Sequence, residues 1–288
     1  MTNFFERTLE IQKYLKEFNH DQHSIGLVPT MGNLHEGHLS LLEKSIQEND
    51  LTIITIFVNP TQFGEGEDYK EYPRTLKQDT EKIKNISKEN VIIFSPISEK
   101  EIYPTTSLTK ISVPSLENKL CGLNRPGHFE GVCGVVYRLF NIIKPNTAYF
   151  GQKDFQQLLI IKEMAKDLFP NLKIKSLPII RDEKGLARSS RNTYLDERDY
   201  LKALTLPQTI NDIKHSLKSG ESSVLDIQNS IKKKVEKNKE WDYLELLDAS
   251  DLSVITSKTT KYLIAGALKI GAVRLIDNQV INVGEYRV

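Results

Sequence analysis

A chain of 288 residues is long enough for one large domain or two ordinary ones, and it can bury a core without disulfide staples. Hydrophobic residues at 39% and charged residues at 27% exclude a disordered chain. A formal net charge of +1 at pH 7 lacks the basic excess that nucleic acid or an anionic membrane demands, so only a local basic pocket for a phosphate-bearing ligand fits.

Cys121 and Cys133 have the spacing of neither a zinc knuckle nor a redox pair, and such sparse usage suits a reducing compartment. The opening MTNFFERTLEIQKYLKEF carries acidic residues and no apolar core for a signal peptide. No stretch approaches the ~18 apolar residues of a membrane helix. A cytoplasmic protein with no membrane or nucleic-acid partner is expected.

In chain order, Ile25 to Pro29 reads as the first strand. A glycine-bearing turn and an amphipathic helix with Leu39, Leu41, Leu42 and Ile46 follow, and Leu51 to Val58 reads as a buried strand. This is a βαβ unit, and the alternation continues. A charged helix from Leu76 to Ser87 precedes a strand from Val91 to Phe94. A helix from Gly131 to Ile143 precedes a strand from Thr147 to Phe150. Phe155 to Leu168 then reads as helix and Lys173 to Ile180 as strand. The expected fold is α/β: a Rossmann-like doubly wound parallel sheet over residues 1–180, binding its ligand at the carboxyl ends of the strands. Past Ile180, RDEKGLARSSRNTYLDERD reads as a charged linker. The chain is then Lys-rich and helical to Lys237, with strands at Trp241 to Leu247, Val254 to Ile255, Tyr262 to Ala267 and Val273 to Ile276. Residues 181–288 are expected to form a smaller α+β domain.

The polar motifs fall after predicted strands or in loops. Met31 to His38 ends in His-x-Gly-His at a helix N-terminus, where unpaired N–H groups and the macrodipole favour phosphate. His35 and His38 share one face of the first turn and can donate hydrogen bonds to phosphate oxygens as negative charge moves onto a leaving pyrophosphate. Gly32 and Gly37 permit tight turns. Neither a Walker A sequence nor a GxGxxG fingerprint is present, and HEGH is not the HExxH of a zinc hydrolase, although a zinc site stays open. Asn59 and Gln62 offer neutral amides after the second strand. Arg125 to Phe129 forms a loop. Lys153, in Gly151 to Asp154, suits a phosphate as a point charge, with Gln157 one turn further on. Arg188, Ser189, Ser190 and Arg191 place hydroxyls between guanidinium groups, a set suited to triphosphate oxygens.

Together VPTMGNLHEGH, FVNPTQFG, YPRTL, RPGHFEGV, FGQKDFQQL, GLARSSRNTYL and the late RLIDN resemble the pantoate–β-alanine ligase family, within the HxGH nucleotidyltransferases. The motifs run in family order across nearly the whole chain. The resemblance implies a Rossmann-like domain with a smaller lid domain, a homodimer formed through the first domain, and condensation of pantoate with β-alanine using ATP and magnesium through a pantoyl-adenylate. It places Met31, Gly32, Asn33, Leu34, His35, Glu36, Gly37 and His38 at the ATP, with His38 as proton donor. It adds Gly151, Gln152, Lys153, Asp154, Ile180 and Arg188 to Arg191 to the nucleotide site. It gives Gln62 and Gln157 to pantoate, with Gln62 also facing β-alanine; Asn59 falls to the substrate side, and the magnesium ligands stay unassigned. Catalysis rests on His35, His38, Lys153, Ser189, Ser190 and Arg191. Two departures stand out: Gln152 replaces the family's usual glutamate, and Arg188 its usual Met or Leu. The rival readings are an HxGH nucleotidyltransferase of another specificity, a non-catalytic nucleotide-binding protein and a zinc hydrolase using His35 and His38.

Overall fold

The structure, a computed structural model, describes residues 3–18, 22–87 and 89–283. The first part alternates strands and helices: β1 (Asn3–Phe5), α1 (Thr8–Glu17), β2 (Ile25–Thr30), α2 (Glu36–Glu48), β3 (Leu51–Ile56), α3 (Leu76–Ile86) and β4 (Val91–Phe94). Two short helices follow, α4 (Pro114–Glu117) and α5 (Cys121–Asn124), then α6 (His128–Ile143), β5 (Thr147–Gly151), α7 (Phe155–Leu168) and β6 (Lys173–Leu177). The six strands form one sheet in the order β1-β4-β3-β2-β5-β6, every pair parallel. β3 is buried at every position, as a parallel strand covered by helices on both faces requires.

The second part holds α8 (Glu197–Ala203), α9 (Thr205–Ser219), α10 (Val224–Lys237), and an antiparallel sheet of β7 (Trp241–Asp248), β8 (Lys261–Ile270) and β9 (Val273–Asn282). Side chains alternate across the central strand with the period of two that a pleat imposes. Tyr262, Ile264 and Leu268 pack with Leu206, Ile210 and Ile231 of α9 and α10. Leu263 and Ala265 face the other way and join the core of the first part. The small sheet is thus sandwiched between its own helices and the large domain. Among the described residues no helix is long and apolar enough to cross a membrane.

The expected α/β architecture with a smaller α+β part is what forms, with local differences. β1 and α1 escape the sequence reading. β3 stops at Ile56 rather than Val58: Phe57 N–H still bonds Thr30 O, but Pro60 starts a 3-10 turn. β6 stops at Leu177 rather than Ile180 because Pro178 has no N–H to give the ladder. Val254 and Ile255 form no strand; they follow a turn through Leu252, whose φ is 59°, and Val254 is exposed. β8 and β9 run longer than expected. The supposed linker is ordered: Arg181 bridges Ala187 around Gly185, and Ser190–Tyr194 is a 3-10 turn.

Candidate active site

The sheet itself opens the site. β2 pairs with β3 along all six of its residues, yet meets β5 only at Gly26↔Thr147 and Leu27↔Ala148. Beyond that the two strands diverge, and the chain leaves them in opposite directions across the sheet. This is the topological switch point at which doubly wound sheets bind ligands. A cleft occupies it, lined from Thr30 and Met31 at the end of β2 to Phe150, Gly151 and Lys153 at the end of β5.

His35 is the N-cap of α2. Its Nδ1 accepts from Gly37 N–H at 3.1 Å, and His35 N–H in turn points to His38 Nδ1 at 3.4 Å. Both rings therefore use Nδ1 as acceptor, so each neutral imidazole carries its proton on Nε2, an outward donor. The ring centroids lie 4.1 Å apart. Burial, then the positive charges of Lys153, Lys82 and Arg188, lower the His35 pKa to about 4. Burial, then His35, lowers that of His38 to about 3. A methyl group on residue 37 would sit 2.9 Å from His35 Cε1, so only glycine lets the ring cap the helix. Among the described residues no three His, Cys, Asp or Glu side chains gather as a metal set.

Met31, His35, Gly37 and His38 line the cleft. Gly32, Asn33 and Leu34 form the turn behind it, and Glu36 opens α2 with its side chain exposed: Leu34 is buried in the core, and Gly32 and Asn33 take φ of 83° and 47°. Asp79, fully buried, holds that turn by accepting from Asn33 N–H at 2.9 Å and Leu34 N–H at 2.8 Å. Lys82 Nζ donates to Leu34 O.

The amides occupy the opposite wall. Gln62 and Gln157 both line the cleft. Asn59 is fully buried and spends its side chain on the protein: Nδ2 donates to Gln62 Oε1 at 3.0 Å and to Gly131 O, while Oδ1 accepts from Tyr103 Oη at 2.8 Å and from Thr61. Asn59 therefore positions Gln62 and aims its Nε2 at the cleft. His128 Nδ1 donates to Gln62 O at 2.7 Å, and its Nε2 accepts from Arg125, so this ring is also neutral. Burial lowers its pKa to about 4, helped by the Arg125 charge.

Lys153 and Asp154 border the cleft from the 3-10 turn after β5. Ile180, Arg188, Ser189, Ser190 and Arg191 complete the rim. Ser190 Oγ donates to Asn33 O at 3.1 Å and Asn33 Nδ2 to Ser190 O at 3.3 Å, zipping this segment to the histidine loop. Arg191 forms a two-pronged pair with Asp68, at 3.0 and 2.8 Å.

The sequence profile of Pantoate-beta-alanine ligase matches residues 3–280. The chain belongs to the pantoate–β-alanine ligase family. It is 43% identical over 277 residues to the pantothenate synthetase of Thermosipho africanus, spanning 96% of this chain and 99% of that one. Against the pantothenate synthetase of Acetivibrio thermocellus it is 45% identical over 261 residues, 90% and 92% of the two chains. Its fold superposes on crystalline pantothenate synthetase from Thermus thermophilus with a TM-score of 0.86 at 34% identity, over 96% of this chain and 99% of that one. The pantoate-β-alanine ligase of Francisella tularensis, solved with β-γ ATP and β-alanine, gives 0.77 at 34% identity, over 97% and 98%.

Both departures from the family pattern acquire a place. Arg188 Nε lies 3.4 Å from Glu36 Oε2 without hydrogen-bond alignment, so the extra cation borders the cleft and faces the helix bearing His38. Gln152 does not line the cleft; its carbonyl accepts from Asn278. The anchors behind these motifs sit in RLIDN, which the sequence marks as a motif without a role. Asn278 Nδ2 donates to Gln152 O at 3.0 Å and Lys153 O at 2.8 Å, fixing the Lys153 turn. Asp277 receives both prongs of Arg181, at 2.6 and 2.9 Å, fixing the hairpin that leads to Arg188. These two neighbours in RLIDN hold both of the cationic segments.

Three neutral, half-buried histidines give this family member an acid-sensitive fold. Their folded pKa values lie below 6.5, so between about pH 6.5 and 4 the unfolded chain binds protons that the folded chain refuses. Stability is fully present above that window and falls as pH drops through it, by up to about 1.4 kcal/mol per pH unit for each histidine. Denaturant midpoints measured from pH 7 to 5 should decline, with a shallower slope in His38→Gln. A flat profile would contradict the lowered pKa values of these rings.

Proposed function

We propose that the chain condenses pantoate with β-alanine at the expense of ATP, through an enzyme-bound pantoyl-adenylate. The observation that carries this reading is the meeting of two chemistries in one cleft. The Nε2 donors of His35 and His38, with Lys153 and Ser189 to Arg191, face the neutral amides of Gln62 and Gln157. The first set suits a triphosphate. The second suits the hydroxyls and carboxylate of a small acid better than a second phosphate.

A carboxylate is a poor acyl donor because its leaving group would be oxide. In the first step a pantoate carboxylate oxygen attacks the α-phosphorus, the bond to the β-phosphate oxygen breaks, and pyrophosphate leaves. His35, His38, Lys153 and the Ser189–Arg191 segment stabilise the charge that develops. In the second step the amine nitrogen of β-alanine attacks the acyl carbon and AMP leaves, the nitrogen losing two protons in all between ammonium and amide. Positioning carries much of this step and supplies ~7–11 kcal/mol in well-oriented cases. Neither cysteine is needed, since both are buried.

Magnesium fits this reading. Glu67 and Asp68 are committed to Arg125 and Arg191, which leaves Asp154, with a half-exposed side chain, as the acidic donor on the cleft wall. One carboxylate plus substrate phosphates is an ordinary magnesium set. When bound, the ion neutralises phosphate charge. We further propose the division at 180/181, supported by the Arg181–Asp277 pair that ties the following hairpin to the small sheet. A cytoplasmic homodimer is proposed on the family resemblance.

The test is AMP release from ATP, with pantoate and β-alanine each present or omitted. AMP with pantothenate and pyrophosphate, only when acid and amine are both present, is the expected result. ATP turnover indifferent to pantoate would overturn the reading in favour of another nucleotidyl transfer. Gln157→Ala should raise KM for pantoate about tenfold or more, in line with the 1–3 kcal/mol of an unpaired buried polar group.

A further inference from the structure

The two histidines of α2 stand on a turn that α3 holds from behind. Asp79 takes the N–H groups of Asn33 and Leu34 and the hydroxyl of Thr75, so its carboxylate is fully engaged. Lys82, one turn further along the same helix, takes the opposite pole of the turn: its Nζ donates to Leu34 O at 2.5 Å. Among the described residues no carboxylate pairs with this ammonium. Its charge bears on a single peptide carbonyl.

That carbonyl belongs to a peptide unit with a second partner. The N–H at its other end is that of His35, which points to His38 Nδ1 at 3.4 Å. A peptide is planar and conjugated, so its C=O and N–H respond together. A cation at the oxygen draws electron density from the nitrogen and makes the N–H a stronger donor, as hydrogen bonds in a chain polarise one another. The ammonium of Lys82, the Leu34–His35 peptide and the imidazole of His38 thus form one line. The bond at Nδ1 decides which ring nitrogen carries the proton, and it draws density from the ring, so the Nε2–H becomes a better donor. After burial and His35, the Lys82 charge joins Lys153 in keeping the His38 ring unprotonated, against Asp154. Lys82 itself does not line the cleft, so it acts through another residue.

We propose that Lys82 is a positioning residue for adenylation: through the Leu34–His35 peptide it holds the His38 proton on Nε2 and strengthens that group as a donor to the departing pyrophosphate. The role in adenylation rests on the ligase reading above. The hold on the His38 ring does not, because it is made by the protein alone. Asp79 and Lys82 then divide the work of α3. Asp79 fixes the shape of the turn, and Lys82 sets the direction in which its last peptide is polarised.

The experiment uses the full chain with Lys82→Met, which removes the ammonium and keeps the length of the stem, and with Lys82→Arg, which restores a cation. Pantoate-dependent exchange of pyrophosphate into ATP is measured without any amine. The nitrogen NMR shifts of the His38 ring, taken without substrates, tell its protonated nitrogen from its bare one. In Lys82→Met, kcat for exchange should fall about tenfold, the low end for removing a group that orients a functional histidine, with KM for ATP within about twofold. Its His38 ring should share the proton between Nδ1 and Nε2, where the wild-type ring carries it on Nε2. Lys82→Arg should recover most of the rate and the Nε2–H tautomer. Exchange at the wild-type rate in Lys82→Met overturns the proposal, and so does a rate loss with an unchanged tautomer, which reduces Lys82 to a prop for the turn. A raised KM for ATP at constant kcat overturns it too, by placing the ammonium on the phosphates. Should Lys82→Met not fold, Lys82→Gln keeps an N–H for Leu34 O without the charge and is judged on the same readouts. Absent exchange in the wild-type chain would be a failure of the ligase reading, and the ring tautomer then decides the hold of Lys82 on His38 by itself.

Discussion

His38→Ala is expected to lower the rate of pyrophosphate exchange by about 10²–10³-fold, the usual effect of removing one donor aimed at developing charge. The effect should fall on kcat and kcat/KM alike, with KM for ATP little changed, because the Nε2–H bond matters most as charge moves toward the leaving pyrophosphate. Stability should shift by only about 1 kcal/mol. The substitution removes a capping contact, which is long at 3.4 Å, and it also relieves the burial of a ring that resists protonation. His38→Gln restores an amide donor near the same place and should recover part of the rate. Exchange by His38→Ala at the wild-type rate would remove His38 from the chemistry and leave the adenylation step to His35, Lys153 and Arg191.

The contrast between what the sequence reveals and what it hides follows a physical line. His35, His38, Gln62, Lys153, Gln157 and Arg191 are legible because each belongs to a residue type with its own chemistry, set directly after a strand of a βαβ pattern whose open end binds ligands. The strands themselves are legible from continuous apolar runs, as in LTIITI. The ends of those strands are decided by single residues: Pro178 cuts β6 short, and Leu252 with its left-handed backbone turns the chain where Val254 and Ile255 look like a strand. Asn59 shows the limit more sharply. Its position in the motif suggests a ligand contact, yet its amide is spent on Gln62, Gly131, Thr61 and Tyr103, so its role passes through Gln62. Asp79 bonds backbone N–H groups 45 and 46 residues away, and no local pattern marks such a partner. The small sheet follows the same rule. RLIDN is visible as a motif, but its function depends on pairing across 96 and 126 residues, to Arg181 and Gln152.

Asp277→Ala tests that long-range support and should have the largest effect on stability of any single substitution at the site. The carboxylate is 2% exposed and takes both prongs of Arg181, so its loss strands a guanidinium at the domain junction. Removing one partner of a buried pair costs about 3–5 kcal/mol, and the lower end applies because Arg181 keeps partial access to water and its bond to Gly185 O. Chemical denaturation reads this directly. The hairpin from Arg181 to Ala187 leads into Arg188 to Arg191, so KM for ATP should rise several-fold in the fraction that stays folded. Asn278→Ala makes the matched comparison: it strips a donor from two carbonyls, at about 1–3 kcal/mol, and loosens the Lys153 turn instead. A double variant, Arg181→Met with Asp277→Leu, separates the two roles. Replacing the pair by apolar groups should return most of the stability. KM for ATP should stay raised, because an apolar contact does not fix the hairpin's direction as two parallel hydrogen bonds do. Recovery of both would reduce the pair to a packing element, and a single Asp277→Ala variant with a wild-type midpoint would refute the anchor altogether.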